Sequence, residues 1–292
     1  MTEPDELYTL RAQYWLGHYQ MALIEAKSIM RRPMSADLKQ EREEFVARCH
    51  IAMKDYDKVI AGDSAGLNAL ALHAQYATLA STRDASQTQT IIHQLQSMLG
   101  DGVSPSVQLT AAHVFLLAGM KKEALQCVHQ GSTMEHISLC VQIYILLDRL
   151  DLAQKSLQQL RKVDEDSMLT QLTSVHVALA TGSSTAGDAV HTLNQISEQY
   201  GPSIMLLNLT ACAHMQAGNY SEAEGKLRQA REEFSANDAD TLVNLIVVSQ
   251  YQHKPVEEVA AALKQHYPDH FLSVGLDTVG GAFDREAIKY RV

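Results

Sequence analysis

Apolar and small residues recur at three- and four-residue spacings along most of the chain, which is the pattern of amphipathic helices. The clearest example is LLNLTACAHMQAGNYSEAEGKLRQAREEF, residues 206–234. It predicts two helices on either side of a turn at Gly218-Asn219. Because Ala211 and Ala223 are small, we expect the two helices to pack closely.

The same arrangement recurs, with a small or β-branched residue early in the second helix of each predicted pair. These marker residues are Ala22, Val59, Ala124, Ala153, Ala189, Ala223 and Val259. With one further pair predicted near residues 67–81 and 86–99, the markers are about 34 residues apart, the period of the tetratricopeptide repeat. An irregular helical bundle with chance spacing is the alternative.

The fold predicted from this period is all-α. It is a tetratricopeptide-like α-solenoid, a right-handed superhelix of about seven to eight helix pairs. Val59-Ile60-Ala61 is interpreted as the end of a second helix. Residues 1–275 form the predicted solenoid. Residues 276–292 form a predicted loop at Gly280-Gly281 followed by a short capping helix.

The composition restricts the function. A formal net charge of −10 argues against nucleic-acid binding and against direct docking on an anionic membrane. Apolar residues make up 46% and charged residues 20% of the chain, as in ordinary soluble proteins. The four cysteines form no C-x-x-C pair, so buried thiols in a cytosolic protein are the default expectation.

One pentapeptide suggests an enzyme. Residues 62–66 read G-D-S-A-G, the G-x-S-x-G pattern of a serine hydrolase elbow, with Ser64 at the nucleophile position. That elbow needs a preceding strand and an upstream oxyanion segment, and neither pattern is found in the sequence. We therefore predict that Ser64 caps the next helix after Gly62 ends the previous one.

Other candidate chemistry is weaker. Pro268 interrupts any helix between His266 and His270, and the run of residues 164–166 fits the start of a helix better than a metal site. We predict no catalytic residue, no cofactor and no metal ion.

The predicted binding surface is the concave wall formed by the first helix of each pair. Its residues share one helical face and are mostly apolar and uncharged, which suits a partner helix or hairpin. They are Arg11, Tyr14, Leu109, His113, Leu116, Gln142, Ile145, Leu172, His176, Leu179, Asn208, Cys212, Met215, Asn244, Val248 and Tyr251.

Five stretches carry a resemblance to a known family. They are DELYTLRAQYWLGHYQMALIEA, HQGSTMEHISLCVQIYILLDRLDLAQKSLQQLRKVDEDSMLTQL, LLNLTACAHMQAGNYSEAE, TLVNLIVVSQYQHKP and FDREAIKY. In these the chain resembles the epsilon subunit of coatomer, the COPI vesicle coat, in register over nearly its whole length. Residues 38–44, 182–188 and 278–281 depart most from the family pattern.

The resemblance implies a non-catalytic subunit that clasps and stabilises the C-terminal domain of the coatomer alpha subunit. It implies indirect contact with the other coatomer subunits, and a role in Golgi-to-ER retrograde and intra-Golgi transport. The chain would be cytoplasmic and would reach the Golgi membrane and COPI vesicles only within the assembled coat. Two other hypotheses stay open at this point: a tetratricopeptide co-chaperone or scaffold that binds short peptide tails, and a serine hydrolase using Ser64.

Overall fold

The computed structural model describes residues 5–82, 84–100, 102–131 and 133–290. Within these ranges all regular structure is helical, which confirms the all-α prediction. Short 3-10 turns lie at Ile29–Arg31, Tyr56–Lys58 and Ser183–Thr185. The α-helices are α1 (Tyr8–Trp15), α2 (Tyr19–Ser28), α3 (Ala36–Ala52), α4 (Ala65–Thr82), α5 (Ala85–Met98), α6 (Pro105–Leu117), α7 (Lys121–Val128), α8 (Met134–Leu146), α9 (Leu150–Val163), α10 (Met168–Thr181), α11 (Ala186–Tyr200), α12 (Ile204–Gln216), α13 (Tyr220–Glu233), α14 (Ala239–Tyr251), α15 (Glu257–His266) and α16 (Phe271–Ile288).

The helices belong to two units, residues 1–180 and 181–292. In the first unit, α2 packs on α1 and α3, α4 packs on α3, α5 and α6, and α8 packs on α6, α7 and α9. In the second unit, α12 packs on α11, α13 and α14, and α15 packs on α14 and α16. Each unit is therefore a stack of successive helix pairs, as the repeat period predicts.

The turn inside a pair has a common geometry. After α12, the amide of Gly218 donates to the carbonyl of Met215, and the amide of Asn219 donates to that of His214. This is a Schellman ending, which needs a left-handed residue at Gly218, where φ is 80°. The same two bonds and a positive φ end α1, α3, α6, α8 and α14, at Gly17, Lys54, Gly119, Asp148 and His253. The repeats thus share turn chemistry as well as spacing.

Small residues let the paired helices approach, as predicted. Ala211 on α12 and Ala223 on α13 are both fully buried, and they pack with Leu227 and Leu245. In the first unit Ala22, Ala124 and Ala153 are also fully buried. The alanine markers are therefore buried where the paired helices pack together.

The second pair departs from the prediction. A second helix was expected through Val59, but after α3 the chain forms only the 3-10 turn Tyr56–Lys58 and is then extended at Val59. The expectation of a helix here was wrong. The segment buries little apolar surface, since Ile60 is 76% exposed, and so short a helix is not stable by itself.

The predicted C-terminal loop is also replaced by regular structure. Helix α16 runs from Phe271 to Ile288 and passes through Gly280 and Gly281, neither of which has a positive φ. Each helical glycine costs only about 1 kcal/mol, and the good helix formers Arg285, Glu286 and Ala287 lie in the same helix. The expected division between residues 275 and 276 falls inside this helix.

Candidate functional site

The structure divides the predicted wall residues into a buried group and an accessible group. Val248 is fully buried, and Leu109, Leu172 and Asn208 are at most 7% exposed. These four residues pack between helices, so a partner protein cannot contact their side chains. The predicted wall is therefore corrected by leaving them out. The accessible residues are Arg11, Tyr14, His113, Leu116, Gln142, Ile145, His176, Leu179, Cys212, Met215, Asn244 and Tyr251.

Arg11 has a structural role at the start of the first unit. Its Nε and Nη2 donate to the two carboxylate oxygens of Glu41, each at 2.8 Å, and its Nη1 lies 2.6 Å from Oδ2 of Asp5. Such a paired guanidinium is strongly held. Arg11 therefore ties α1 to α3 and is not a free cation on the wall.

Two side chains from distant parts of the first unit meet at Glu135, in the first turn of α8. Nε1 of Trp15 on α1 donates to Oε1 of Glu135 at 2.9 Å. Nη1 of Arg48 on α3 donates to the same carboxylate at 3.0 and 3.1 Å. The side chains of Arg48 and Glu135 are only 12% and 23% exposed. The first unit therefore carries a partly buried ion pair beside the mostly uncharged wall residues.

The surroundings of Glu135 keep it ionised. Burial works against the charge, but the cation of Arg48 and the hydrogen bonds from Trp15 and Arg48 outweigh it and hold the pKa of Glu135 below its usual value. Tyr14 lies beside this pair, with its ring 5.3 Å from that of Phe45 in a T-shaped contact. The Arg48 guanidinium lies 4.9 Å above the Phe45 ring.

Two histidines line the same region. Burial, followed by the charge of His113, lowers the pKa of His73 to about 4. Burial also lowers the pKa of His113, whose Nδ1 lies 2.7 Å from the carbonyl oxygen of Leu109. At neutral pH the His73 imidazole is therefore uncharged.

This cluster could not be predicted from the sequence. Trp15, His73 and Glu135 were not among the predicted wall residues. Trp15 and Glu135 are 120 positions apart, and Arg48 and Glu135 are 87 apart. Only the winding of the helix stack brings them together.

The wall of the second unit is held by amide hydrogen bonds. Nδ2 of Asn208 donates to Oγ1 of Thr241 at 2.8 Å and to the carbonyl of Ile204, and Nδ2 of Asn244 donates to Oδ1 of Asn208 at 2.9 Å. Sγ of Cys212 lies 3.8 Å from Oδ1 of Asn244. This ladder connects α12 to α14 and satisfies the buried amide of Asn208.

Tyr251 is the most prominent aromatic residue of that wall. It is 61% exposed, and its ring is stacked on Tyr220 with centroids 4.8 Å apart and planes 8° apart. The stack holds the ring in place without burying it. Met215 lies nearby but packs partly into the core formed with Ala211 and Ala223.

Ser64 has the structural position that the sequence predicted for it. Its Oγ accepts a hydrogen bond from the amide of Leu67 at 3.1 Å, and its carbonyl accepts one from the amide of Asn68. Ser64 is thus the N-cap of α4. The preceding residues are the 3-10 turn and extended chain described above, not the strand of a nucleophile elbow.

Other kinds of site were also sought. Within the described ranges, no group of three or more His, Cys, Asp or Glu side chains could hold a metal ion. The four cysteines are free thiols, and burial raises the pKa of Cys127 and Cys140 to about 11. None of the helices in the part of the chain that the structure describes is long and apolar enough to cross a membrane.

The stacked helix pairs of each unit define a tetratricopeptide-like α-solenoid. Residues 3–291 match the family model of the coatomer epsilon subunit. Coatomer subunit epsilon-2 of Arabidopsis thaliana is 33% identical over 289 residues, which cover 97% of this chain and 96% of the relative. Coatomer subunit epsilon of Dictyostelium discoideum is 29% identical over 273 residues, 89% of each chain. The chain therefore belongs to the coatomer epsilon subunit family, which confirms the resemblance seen in the sequence.

A solved structure shares the fold. A chain of the APC/C hetero-tetramer Cut9-Hcn1 superimposes with a TM-score of 0.59 at 13% identity. The match covers 94% of this chain and 56% of that longer chain. At this identity the similarity concerns the fold alone.

Proposed function

We propose that this chain is a non-catalytic structural subunit of the COPI coatomer that clasps and stabilises the C-terminal domain of the alpha subunit. The match of residues 3–291 to the coatomer epsilon family carries the proposal. In this role the chain acts in the cytoplasm and contacts other coatomer subunits through the alpha subunit. It reaches the Golgi membrane only within the coat and serves Golgi-to-ER retrograde and intra-Golgi transport.

The accessible wall residues support binding of a protein segment. They combine apolar side chains such as Leu116, Ile145 and Met215 with the fixed aromatic ring of Tyr251, which is the composition of protein interfaces. A receptor for acidic peptide tails needs unpaired basic side chains. Arg11 and Arg48 are instead paired with carboxylates, so this alternative has less support.

Co-expression with a fragment comprising the C-terminal domain of a coatomer alpha subunit tests the proposal. We expect a stoichiometric complex that stays together on gel filtration at micromolar concentration. Separate elution of the two chains at that concentration would contradict the proposal.

Tyr251→Asp tests whether the wall of the second unit takes part. The side chain is mostly exposed, so the substitution should leave helicity and the melting temperature nearly unchanged while weakening the complex. Phe234→Asp is the matched control, because Phe234 is a 45% exposed aromatic residue of the same unit. It follows α13, the second helix of its pair, and so lies outside the predicted wall. Equal affinity of the two variants would remove Tyr251 from the binding surface.

A further inference from the structure

The contact among Trp15, Arg48 and Glu135 does not follow the stacking order of the first unit. Helix α1 packs on α2 and α3, whereas α8 packs on α6, α7 and α9. The Trp15–Glu135 hydrogen bond nevertheless joins α1 to α8, and Arg48–Glu135 joins α3 to α8. Helices α1 and α3 are thus connected to α8 by side chains. These side chains reach across the face that the first helices of the pairs share.

This contact obstructs that face. The indole of Trp15 and the guanidinium of Arg48 converge on one carboxylate, with Tyr14 and His113 beside them. Tyr14 and His113 are both predicted wall residues. A segment of another protein that lies along the wall of the first unit must therefore pass the point at which these side chains meet.

The contact is also built so that it can open. It consists of side chains from α1 and α3 that reach α8, and neither α1 nor α3 is among the helices on which α8 mainly packs. Side-chain contacts of this kind can separate without unpacking the helix pairs that carry them. The Arg48–Glu135 pair keeps some exposure, so water or a partner can reach both charges.

We propose that Trp15, Arg48 and Glu135 form a latch that closes the wall of the first unit in the free chain and opens when the partner segment enters. The inference rests on the proposed function, because it takes the first-helix wall as the binding surface. Opening separates two partly buried charges, which is unfavourable unless each gains a new partner. The entering segment must therefore supply an acceptor for Arg48 and a donor for Glu135, and this requirement contributes to specificity.

The latch lowers the apparent affinity, because only the open fraction of molecules binds. Glu135→Gln keeps the shape of the side chain and removes the charge that holds Arg48. If the latch keeps about nine molecules in ten closed, this variant should bind the alpha-subunit fragment about tenfold more tightly. Glu123→Gln is the matched control, since Glu123 lies in the first turn of α7 in the same unit.

Trp15 is the only tryptophan of the chain, so its fluorescence reports on the latch directly. In the full-length wild type we expect emission from a shielded indole with slow quenching by acrylamide. Glu135→Gln, and saturation of the wild type with the alpha-subunit fragment, should each change the emission maximum and the quenching rate. Glu123→Gln should change neither, and circular dichroism should show the same helicity for all variants.

The outcomes separate the latch from the proposed function. A complex on gel filtration with unchanged Trp15 emission would show that the contact stays closed, which would overturn the latch and leave the proposed function standing. Equal or weaker binding by Glu135→Gln would show that weakening this contact does not favour binding, and would also overturn the latch. Failure of every variant to form a complex would overturn the proposed function, and the latch with it.

Discussion

Residues with left-handed backbone conformation end the first helix in six of the helix pairs described above. Three of these positions are glycine, at Gly17, Gly119 and Gly218, and three carry side chains, at Lys54, Asp148 and His253. A side chain is strained in this conformation, by roughly 1 kcal/mol, because Cβ crowds the following carbonyl oxygen. The turn inside each of these pairs therefore requires a left-handed residue. In three of the six pairs that residue carries a side chain and its backbone is strained.

Lys54→Gly should stabilise the chain by up to about 1 kcal/mol, because it removes this strain at an exposed position. Gly218→Ala should have the opposite effect, by a similar amount. Urea denaturation of the two variants beside the wild type measures both. A loss of stability in Lys54→Gly would show that the Lys54 side chain contributes something other than strain.

Ser64→Ala tests the structural role of the G-x-S-x-G pentapeptide. The substitution removes one N-cap hydrogen bond to the amide of Leu67, so we expect a loss of about 1 kcal/mol or less in the free energy of unfolding. Binding of the alpha-subunit fragment should not change. Labelling of the wild type by a fluorophosphonate probe, lost in Ser64→Ala, would contradict the assignment as a cap.

At the scale of the element, two segments show where local pattern and structure diverge. The segment around Val59 has the spacing of a repeat but lacks the apolar surface that a helix needs for packing. Helix α16 has glycines that suggest a loop, but its backbone hydrogen bonds continue through them. Two side-chain contacts also support α16. The hydroxyl of Thr278 donates to the carbonyl of Val274, and Lys264 forms an ion pair with Asp277.

The pair Gly280→Ala and Gly281→Ala distinguishes a helix from a loop in this segment. A Cβ at Gly280 meets no other atom within 4 Å, and one at Gly281 approaches only the flexible end of Arg285, at 3.6 Å. In a helix the double variant should stabilise the segment by about 1–2 kcal/mol. Hydrogen exchange of residues 271–288 should slow accordingly, whereas unchanged or faster exchange would contradict a continuous helix.

At the scale of the whole molecule, buried neutral histidines make stability depend on pH. The pKa of His73 is about 4 in the folded chain, because of burial and the nearby His113, against about 6.5 for a free imidazole. Between these values the unfolded chain binds a proton that the folded chain does not. The free energy of unfolding therefore falls as pH falls through this window. Protonation of Glu135 at lower pH also reduces the free energy of unfolding. The lowered pKa of Glu135 means that the folded chain favours its ionised form.

We expect the wild type to lose up to about 3 kcal/mol from His73 alone between pH 6.5 and 4. His73→Gln should remove that part of the pH dependence. Urea denaturation at pH 7.5, 6.0 and 5.0, monitored by Trp15 fluorescence, measures this. The signal reports on the first unit, which contains both Trp15 and His73. Equal slopes of stability against pH in the two proteins would assign the effect to other groups, such as His113 and His176, whose pKa values are also lowered.

Much of the architecture could be predicted from sequence because its causes are local. Helices follow from spacings of three and four residues, and close pairing follows from alanines such as Ala211 and Ala223. The turn at Gly218 follows from a single glycine, and the cap at Ser64 from its neighbours. The repeat period and the family resemblance then extend these local features to the whole chain, and they indicate a coat subunit.

The accessible part of the wall could not be predicted in the same way. Position on a helical face indicates which side chains point inward, but Val248 and Leu109 are buried by the next helix of the stack while Tyr251 remains exposed. The difference depends on how far each pair is rotated relative to the next, and no short stretch of sequence records that rotation.

The sequence by itself determined the helix pairs, their period of about 34 residues and the family of the protein, because each depends on patterns within one repeat. The tertiary structure alone decided that Trp15, Arg48 and Glu135 meet. Their contact requires small rotations between successive pairs to accumulate until α1 and α3 face α8. Such a sum over several interfaces is a property of the folded stack, not of any one repeat.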